Sequence, residues 1–320
     1  MEEAIMLILD APTTRSLLPF DQLVPALKNA FSRGCEVPLR HNHSIQVDGK
    51  EPGTMLLMPA WQAGEYLGIK TVTVFPGNTK LKLPGLHSTY MLHDANTGKP
   101  LALIDGNEIT SRRTAAASAL AASYLSRQDS CSLLVLGAGR VASLLPYAYR
   151  AVRPIEHVSV WDIDQGQAER LVEQLRADGF HATAAQDLES NCKVADIVTA
   201  ATLSTVPLVR REFLRPGTHL DLIGGFTPQM READDCCFDG TSIFVDTSEA
   251  PMKAGDLLHP IASGVMREAD ISADLAELCR SGHPGRKNSK EITVFKAVGT
   301  ALEDLAAAVM AYEAYCNYGQ

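Results

Sequence analysis

Gly137, Gly139 and Ala142 stand at the spacing G-x-G-x-x-A directly behind the apolar run 133–136, Leu-Leu-Val-Leu. A glycine at the first position permits a tight turn, and one at the second lets a ligand approach the backbone. A small residue at the third lets the following helix pack closely on the strand. The helix that such a turn opens presents free N–H groups and the positive end of its dipole, which is the chemistry for holding phosphate. Arg140 and Val141 fill the turn, and Arg140 adds a cation within reach of a phosphate. A second strand, His157 to Trp161, ends at Asp162. That places a carboxylate about 20 residues past the glycines, where an acid accepts ribose hydroxyls. Together these features read as a dinucleotide site. The plainer alternative is a glycine turn between a core strand and a helix with no ligand. Ile163, Asp164 and Gln165 offer no cation beside Asp162, so a 2′-phosphate is repelled and NADH is expected ahead of NADPH. Arg140 leaves NADPH binding open.

Three cations in the first part of the chain suit a different ligand. Arg40 follows Pro38 at an expected strand start, and Lys70 has apolar neighbours in Leu67-Gly-Ile-Lys-Thr-Val-Thr-Val74. Arg113 falls in the first turns of a helix. Arginine grips a carboxylate with two parallel hydrogen bonds, and lysine adds a point charge. By spacing alone each reads equally well as a surface cation; as a set, beside a cofactor domain, they suit a small amino or imino acid. His41-x-His43 has no further ligand at metal spacing, so no metal is expected.

The elements that must position these residues follow from pattern. Met6 to Leu9 reads as a strand and Phe20 to Arg33 as a helix stopped by Gly34, with Pro25 a discordant note. Between 37 and 104, short apolar stretches alternate with Asp48-Gly49, Pro52-Gly53, Pro76-Gly77-Asn78, Pro84-Gly85 and Asn96-Thr-Gly98, which predicts an antiparallel sheet or partial barrel. Asp105 and Glu108 match a capping box for the helix that carries Arg113. A helical pattern is expected directly after the glycine turn, and another over Ala168, Leu171, Val172 and Leu175 that stops near Gly179. Strands are expected near Asp196–Ala201, His219–Gly224 and Ser242–Asp246, the rhythm of a parallel α/β sheet. Cys279 to Ser289 reads as a loop, and Gly299 to Tyr315 as a long helix.

The 320 residues suffice for two domains. A net charge of −9 without a basic block argues against nucleic acid and an anionic membrane surface as partners. Met1-Glu-Glu lacks a basic leader, and Ile5 to Leu9 is too short for a signal core or a membrane span. Seven cysteines without a C-x-x-C pair predict free thiols, and a cytoplasmic protein is expected.

Leu57-Met-Pro59, Gly68-Ile-Lys70, Arg113-Thr-Ala-Ala116, Leu136-Gly-Ala-Gly139, Asp196-Ile-Val-Thr-Ala200, Ile223-Gly-Gly225 and Val294-Phe-Lys-Ala-Val-Gly299 run along nearly the whole chain. In this order they resemble the ornithine cyclodeaminase/mu-crystallin family. The resemblance implies an α/β chain with a Rossmann domain, 122–298, inserted into an α+β substrate-binding and dimerisation domain, 1–121 with 299–320. It implies a homodimer formed through the sheet and a C-terminal helix that returns to the first domain. It also implies NAD(P) chemistry at the α-carbon of an amino or imino acid. Arg40, Lys70 and Arg113 would hold the substrate carboxylate. The sequence offers no obvious acid for the imine nitrogen; Lys70 is a candidate donor, and the alternative is an imine that arrives already protonated. Ser204, Val298 and Gly299 would lie on the nicotinamide side of the cofactor.

Two departures narrow the reading. Family members that cyclise ornithine carry an aspartate after the Gly-Gly pair and a glutamate before Leu-Met-Pro; here those positions hold Phe226 and Leu56. Neither side chain can accept a proton or pair with an ammonium. Asp221 and Glu232 are the candidates to replace the lost acid. The segment Gly224 to Asp234 instead resembles the family's ketimine reductases. The expected activity is reduction of Δ1-pyrroline-2-carboxylate to L-proline, with Δ1-piperideine-2-carboxylate, giving L-pipecolate, as a second substrate. The rivals are an ornithine cyclodeaminase, an alanine dehydrogenase-like enzyme and a non-catalytic mu-crystallin-like NAD(P)H-binding protein.

Overall fold

The computed structural model describes residues 6–49 and 51–318. Residues 1–5, with the Met1-Glu-Glu start, lie outside the described residues. The first part of the chain runs β1 (Leu7–Leu9), α1 (Ala11–Ser16), α2 (Phe20–Arg33), β2 (His41–Ile45), β3 (Gly53–Trp61), β4 (Tyr66–Val74), β5 (Leu86–Asp94), β6 (Pro100–Asp105) and α3 (Gly106–Leu125). The middle runs β7 (Ser132–Leu136), α4 (Leu145–Arg150), β8 (His157–Trp161), α5 (Gln165–Ala177), β9 (His181–Ala184), α6 (Leu188–Val194), β10 (Ile197–Ala200), β11 (His219–Leu222) and β12 (Ser242–Val245). It continues with α7 (Ala250–Lys253), α8 (Gly255–Ala262), β13 (Ile271–Asp274), α9 (Leu275–Cys279) and β14 (Thr293–Lys296). The described chain closes on α10 (Ala301–Tyr318).

Two compact units result, Met1–Arg113 with Thr300–Gln320, and Thr114–Gly299. The division falls inside α3, after Arg113. Asp105 caps this helix by accepting the Glu108 N–H at 2.8 Å. The Glu108 side chain, the other half of the expected box, pairs with Arg15 at 2.6 Å.

In the first unit the sheet order is β1-β6-β5-β4-β3-β2, antiparallel except for β1 beside β6. Side chains alternate across it. On one face the register aligns Met58, Lys70, Tyr90, Ile104 and Leu9, all buried. On the other it aligns Pro59, Ile69, Met91, Leu103 and Ile8, which are half-buried or exposed.

The second unit is a wholly parallel sheet in the order β13-β12-β14-β11-β10-β7-β8-β9. Its central strands β10, β11 and β14 are buried on both faces, as in a parallel sheet covered on both sides, and they bury Thr199, His219, Asp221, Thr293 and Lys296 among their apolar side chains. β7 and β10 are neighbours, and from them the chain winds outward in opposite directions. This is the topological switch point at which open α/β sheets bind ligands.

One local expectation is corrected. After the glycine turn the chain makes a single 3₁₀ turn, Ala142–Leu144, before the short α4. Pro146 explains this: with no N–H it cannot donate to the Ala142 carbonyl, which accepts the Leu145 N–H instead. Among the described residues no helix is long and apolar enough to cross a membrane.

Candidate active site

The cofactor-type residues are assembled by strand ends. Gly137, at the end of β7, adopts φ 99°, a conformation open to glycine and strained for other residues. A Cβ there would also meet Ala201 O, at the end of β10, at 2.8 Å. A Cβ at Gly139 would meet nothing within 4 Å, so its backbone is open to close approach. Asp162 follows β8, and its carboxylate accepts the Ala138 N–H at 2.7 Å and the Asp164 N–H at 2.8 Å. A carboxylate has about four acceptor positions, so two remain for hydroxyl donors. Gly137, Gly139, Trp161, Asp162, Thr202 and Ser204 line one cleft of about 440 Å³. The turn, the open backbone and the acid fit a dinucleotide. A second cleft, of about 460 Å³, lies at the start of β8 and β9 among His157, Ser159 and His181 and holds none of these groups.

Other expected cofactor residues lie outside that lining. Arg140 is exposed and Val141 half-buried beyond the turn, with Ala142 buried beneath it. The N–H groups of Val298 and Gly299 both donate to Asp246 Oδ2, at 2.7 and 2.6 Å. This carboxylate, which the sequence reading missed, fixes the loop after β14.

Behind the cleft lies a buried polar network. Glu232 accepts the Thr202 N–H at 2.6 Å and the Gly224 N–H at 2.7 Å. Asp256 accepts the Glu232 N–H at 2.7 Å and pairs with Lys296 Nζ at 3.0 Å. The network accounts for the Gly-Gly pair: a Cβ at Gly224 would lie 1.8 Å from Thr202 O, and one at Gly225 would lie 2.2 Å from Asp256 Oδ2. Phe226 follows them and is 48% exposed. Asp221 is buried and accepts from Ser118, Tyr149 and Thr199. Burial raises it to about 6, against the pull of those donors. Burial likewise raises Glu232, opposed by Lys296. Both acids are thus engaged in holding the fold.

The substrate-type cations belong to the first unit. Lys70 Nζ lies 2.6 Å from Asp304 Oδ2. Arg113 Nε lies 2.8 Å from Asp304 Oδ1, and its Nη1 lies 2.5 Å from Glu303 Oε2. All four side chains are buried. Burial lowers Lys70 to about 8 in spite of Asp304. Burial also works against the charged Arg113, but Asp304 and Glu303 more than offset it and raise its pKa. The two acids come from the first turn of α10, where the helix dipole favours negative charge. Sequence reasoning missed them, since acids in a first helical turn normally face water.

Arg40 stands one residue before β2. Continued by one step, the register sets it beside Met58, the partner of Lys70. It is half-buried, and among the described residues no hydrogen bond or ion pair holds it. Leu56 pairs with Val72 and so shares the Lys70 face of the sheet.

Δ1-Pyrroline-2-carboxylate reductase of Paracoccus denitrificans is 43% identical over 261 residues, 80% of this chain and 82% of its own. Among solved structures, Thermococcus litoralis Δ1-pyrroline-2-carboxylate reductase in complex with NADH and L-proline superposes with a TM-score of 0.91 at 34% identity, covering 98% of both chains. An archaeal alanine dehydrogenase dimer with bound NAD gives 0.89 at 30% identity, over 98% of this chain and 97% of the other. The sequence model of the ornithine cyclodeaminase/mu-crystallin family matches residues 5–318, and the chain belongs to that family.

Proposed function

We propose that the protein is an NAD(P)H-dependent ketimine reductase that converts Δ1-pyrroline-2-carboxylate to L-proline, with Δ1-piperideine-2-carboxylate, giving L-pipecolate, as a second substrate. The observation that carries this reading is the likeness, over 98% of both chains, to a reductase held with NADH and L-proline. Phe226 and Leu56 agree with it, since reduction of a preformed ring requires no acid at either position.

Gly137, Gly139, Arg140, Val141 and Ala142 would hold the pyrophosphate side of the dinucleotide, and Asp162 the adenosine ribose. Ser204, Val298 and Gly299 would flank the nicotinamide. When bound, the reduced nicotinamide would supply the hydride for the imine carbon. Arg113, Lys70 and Arg40 bind the substrate carboxylate. The imine nitrogen must carry a proton to accept hydride at the adjacent carbon. Lys70, with a pKa of about 8, is still largely charged at neutral pH and can supply that proton from Nζ. Positioning and fixed charge supply most of the rate. Asp162 favours NADH over NADPH: like charges about 4 Å apart near a surface repel by roughly 4 kcal/mol.

The reading includes a homodimer. The half-buried apolar row Pro59, Ile69, Met91 and Leu103 runs into Ile8, which is 73% exposed, and β1 and β2 are open edges. Sedimentation at micromolar concentration should give twice the chain's 34.5 kDa. The test of the activity is NADH oxidation with each cyclic imine, against pyruvate with ammonia. Turnover limited to pyruvate with ammonia would replace the ketimine reading by an alanine dehydrogenase. Cofactor binding without turnover of any substrate would make the protein a non-catalytic binder.

A further inference from the structure

Lys70 is the sole charged member of an otherwise uncharged row, Met58, Tyr90, Ile104 and Leu9, and is 2% exposed. A lysine at such a place loses its charge unless a partner holds it. The charged groups facing it are few. From α10 come Asp304, at 2.6 Å, and Glu303, and from α3 comes Arg113. From β5 comes Tyr90, whose phenol burial keeps neutral. Asp304 and Glu303 pull the Lys70 pKa upward, and Arg113 and burial pull it down. Asp304 touches both cations: Oδ2 takes Lys70 Nζ and Oδ1 takes Arg113 Nε. The guanidinium has five donors and the ammonium three. The shared carboxylate engages one on each side and fixes where the others point.

We propose that Asp304 is the positioning residue of the carboxylate site. It keeps Lys70 protonated within the fold and aligns it beside Arg113, so that both cations present their remaining donors to a single incoming carboxylate. This rests on the reading that Lys70 and Arg113 bind the substrate. Asp304 touches neither substrate nor cofactor and acts only through the two cations. Glu303 adds a second carboxylate on Arg113, at Nη1.

The experiment uses the full-length protein saturated with NADH and carrying ¹³Cε-labelled lysine. The Lys70 signal is assigned by its loss in Lys70→Arg. In wild type it should titrate near 8. In Asp304→Asn it should titrate about one pH unit lower or more, as expected when a close opposite charge is removed. The alkaline limb of kcat/KM for Δ1-pyrroline-2-carboxylate should move down with it. The substrate's own ionisation contributes equally to both proteins and cancels from the comparison. NADH affinity should stay within about twofold, since Asp304 makes none of the cofactor contacts named above. Asp304→Glu keeps the charge but displaces it, so Lys70 should titrate near the wild-type value while kcat/KM falls by about tenfold to a hundredfold. That variant decides the matter if Asp304→Asn does not fold. An unmoved Lys70 titration and alkaline limb in Asp304→Asn, with only a lower Tm, would overturn the proposal and leave Asp304 a packing residue. Failure of wild type to reduce any imine would instead overturn the functional reading, and the Lys70 titration would still report whether Asp304 holds that charge.

Discussion

The backbone N–H of Ala138 donates to Asp162 Oδ2 at 2.7 Å, so the acid after β8 also fastens the glycine turn after β7. The Asp164 N–H takes the other oxygen. Asp162 thus has two duties, and its removal disturbs both. Asp162→Ala should weaken NADH binding by about tenfold or more, the loss of a charged hydrogen-bond acceptor. It should also narrow the gap to NADPH, because the repulsion of the 2′-phosphate disappears. Fluorescence titration with both cofactors measures this. An unchanged preference, with NADPH binding more tightly than NADH throughout, would mean that the ribose is read by a different group.

Arg40 and Arg113 should respond differently to truncation. Arg113→Ala leaves Glu303 and Asp304 buried without the guanidinium, so about 3–5 kcal/mol of stability is expected to be lost along with activity. Arg40 has no such partners among the described residues, and Arg40→Ala should keep the wild-type Tm within a few degrees. Its kcat/KM for the imino acid should still fall at least about tenfold, with NADH affinity unchanged. Equal kinetics in Arg40→Ala and wild type would remove Arg40 from the carboxylate site.

The difference between these two arginines shows what could and could not be read in advance. The glycine turn, the acid after β8 and the strand rhythm were legible because each depends on residues close in sequence. Lys70 and Arg113 were legible as candidates. Their state was not, since Glu303 and Asp304 lie about 190 residues from Arg113. The signal available was their setting in a helix rich in buried alanine, with Ala307, Ala308 and Ala311 all enclosed. β9, β13 and β14 were also missed. Each has four residues, and β9, reading His-Ala-Thr-Ala, carries little of the apolar pattern that marks a strand.

His219 should make the protein sensitive to acid. It lies buried on β11 opposite Thr293, with Nδ1 2.9 Å from Thr293 Oγ1. Burial, then Arg286 and Arg153, lowers its pKa to about 3. The unfolded chain takes up a proton near 6.5 that the folded protein refuses, so the neutral ring contributes full stability above 6.5. That contribution is lost as pH falls toward 3, by about 1.4 kcal/mol for each pH unit. Asp221 is raised to about 6 and works in the opposite sense, which is why the comparison must be with a variant. His219→Gln keeps a polar group near Thr293 and does not titrate. Denaturant unfolding between pH 6 and 4 should show a shallower loss of stability for the variant, by about one proton's worth of slope. Parallel curves would show that His219 is not the group responsible.

The last prediction separates reduction from deamination: the protein should reduce Δ1-pyrroline-2-carboxylate with NADH yet fail to convert L-ornithine with NAD. Conversion of ornithine demands oxidation at Cα, loss of ammonia and closure of the ring. Those steps need a base near the α-amine and a group that recognises the distal ammonium. Phe226, 48% exposed, and Leu56, on the Lys70 face of the sheet, stand where the resemblance puts the two carboxylates used for these steps. The acids that might have taken over are spent. Asp221 is enclosed by three hydroxyl donors, and Glu232 holds the backbone of Thr202 and Gly224. Moving either into a site would leave buried donors unsatisfied, at about 1–3 kcal/mol for each group. A preformed ring asks for neither acid: its carbon accepts hydride and it has no distal ammonium. The two assays are run side by side, following NADH in one and proline with ammonia in the other. Proline and ammonia formed from ornithine at a rate matching imine reduction would require a carboxylate that neither Phe226, Leu56, Asp221 nor Glu232 provides, and would sink this assignment.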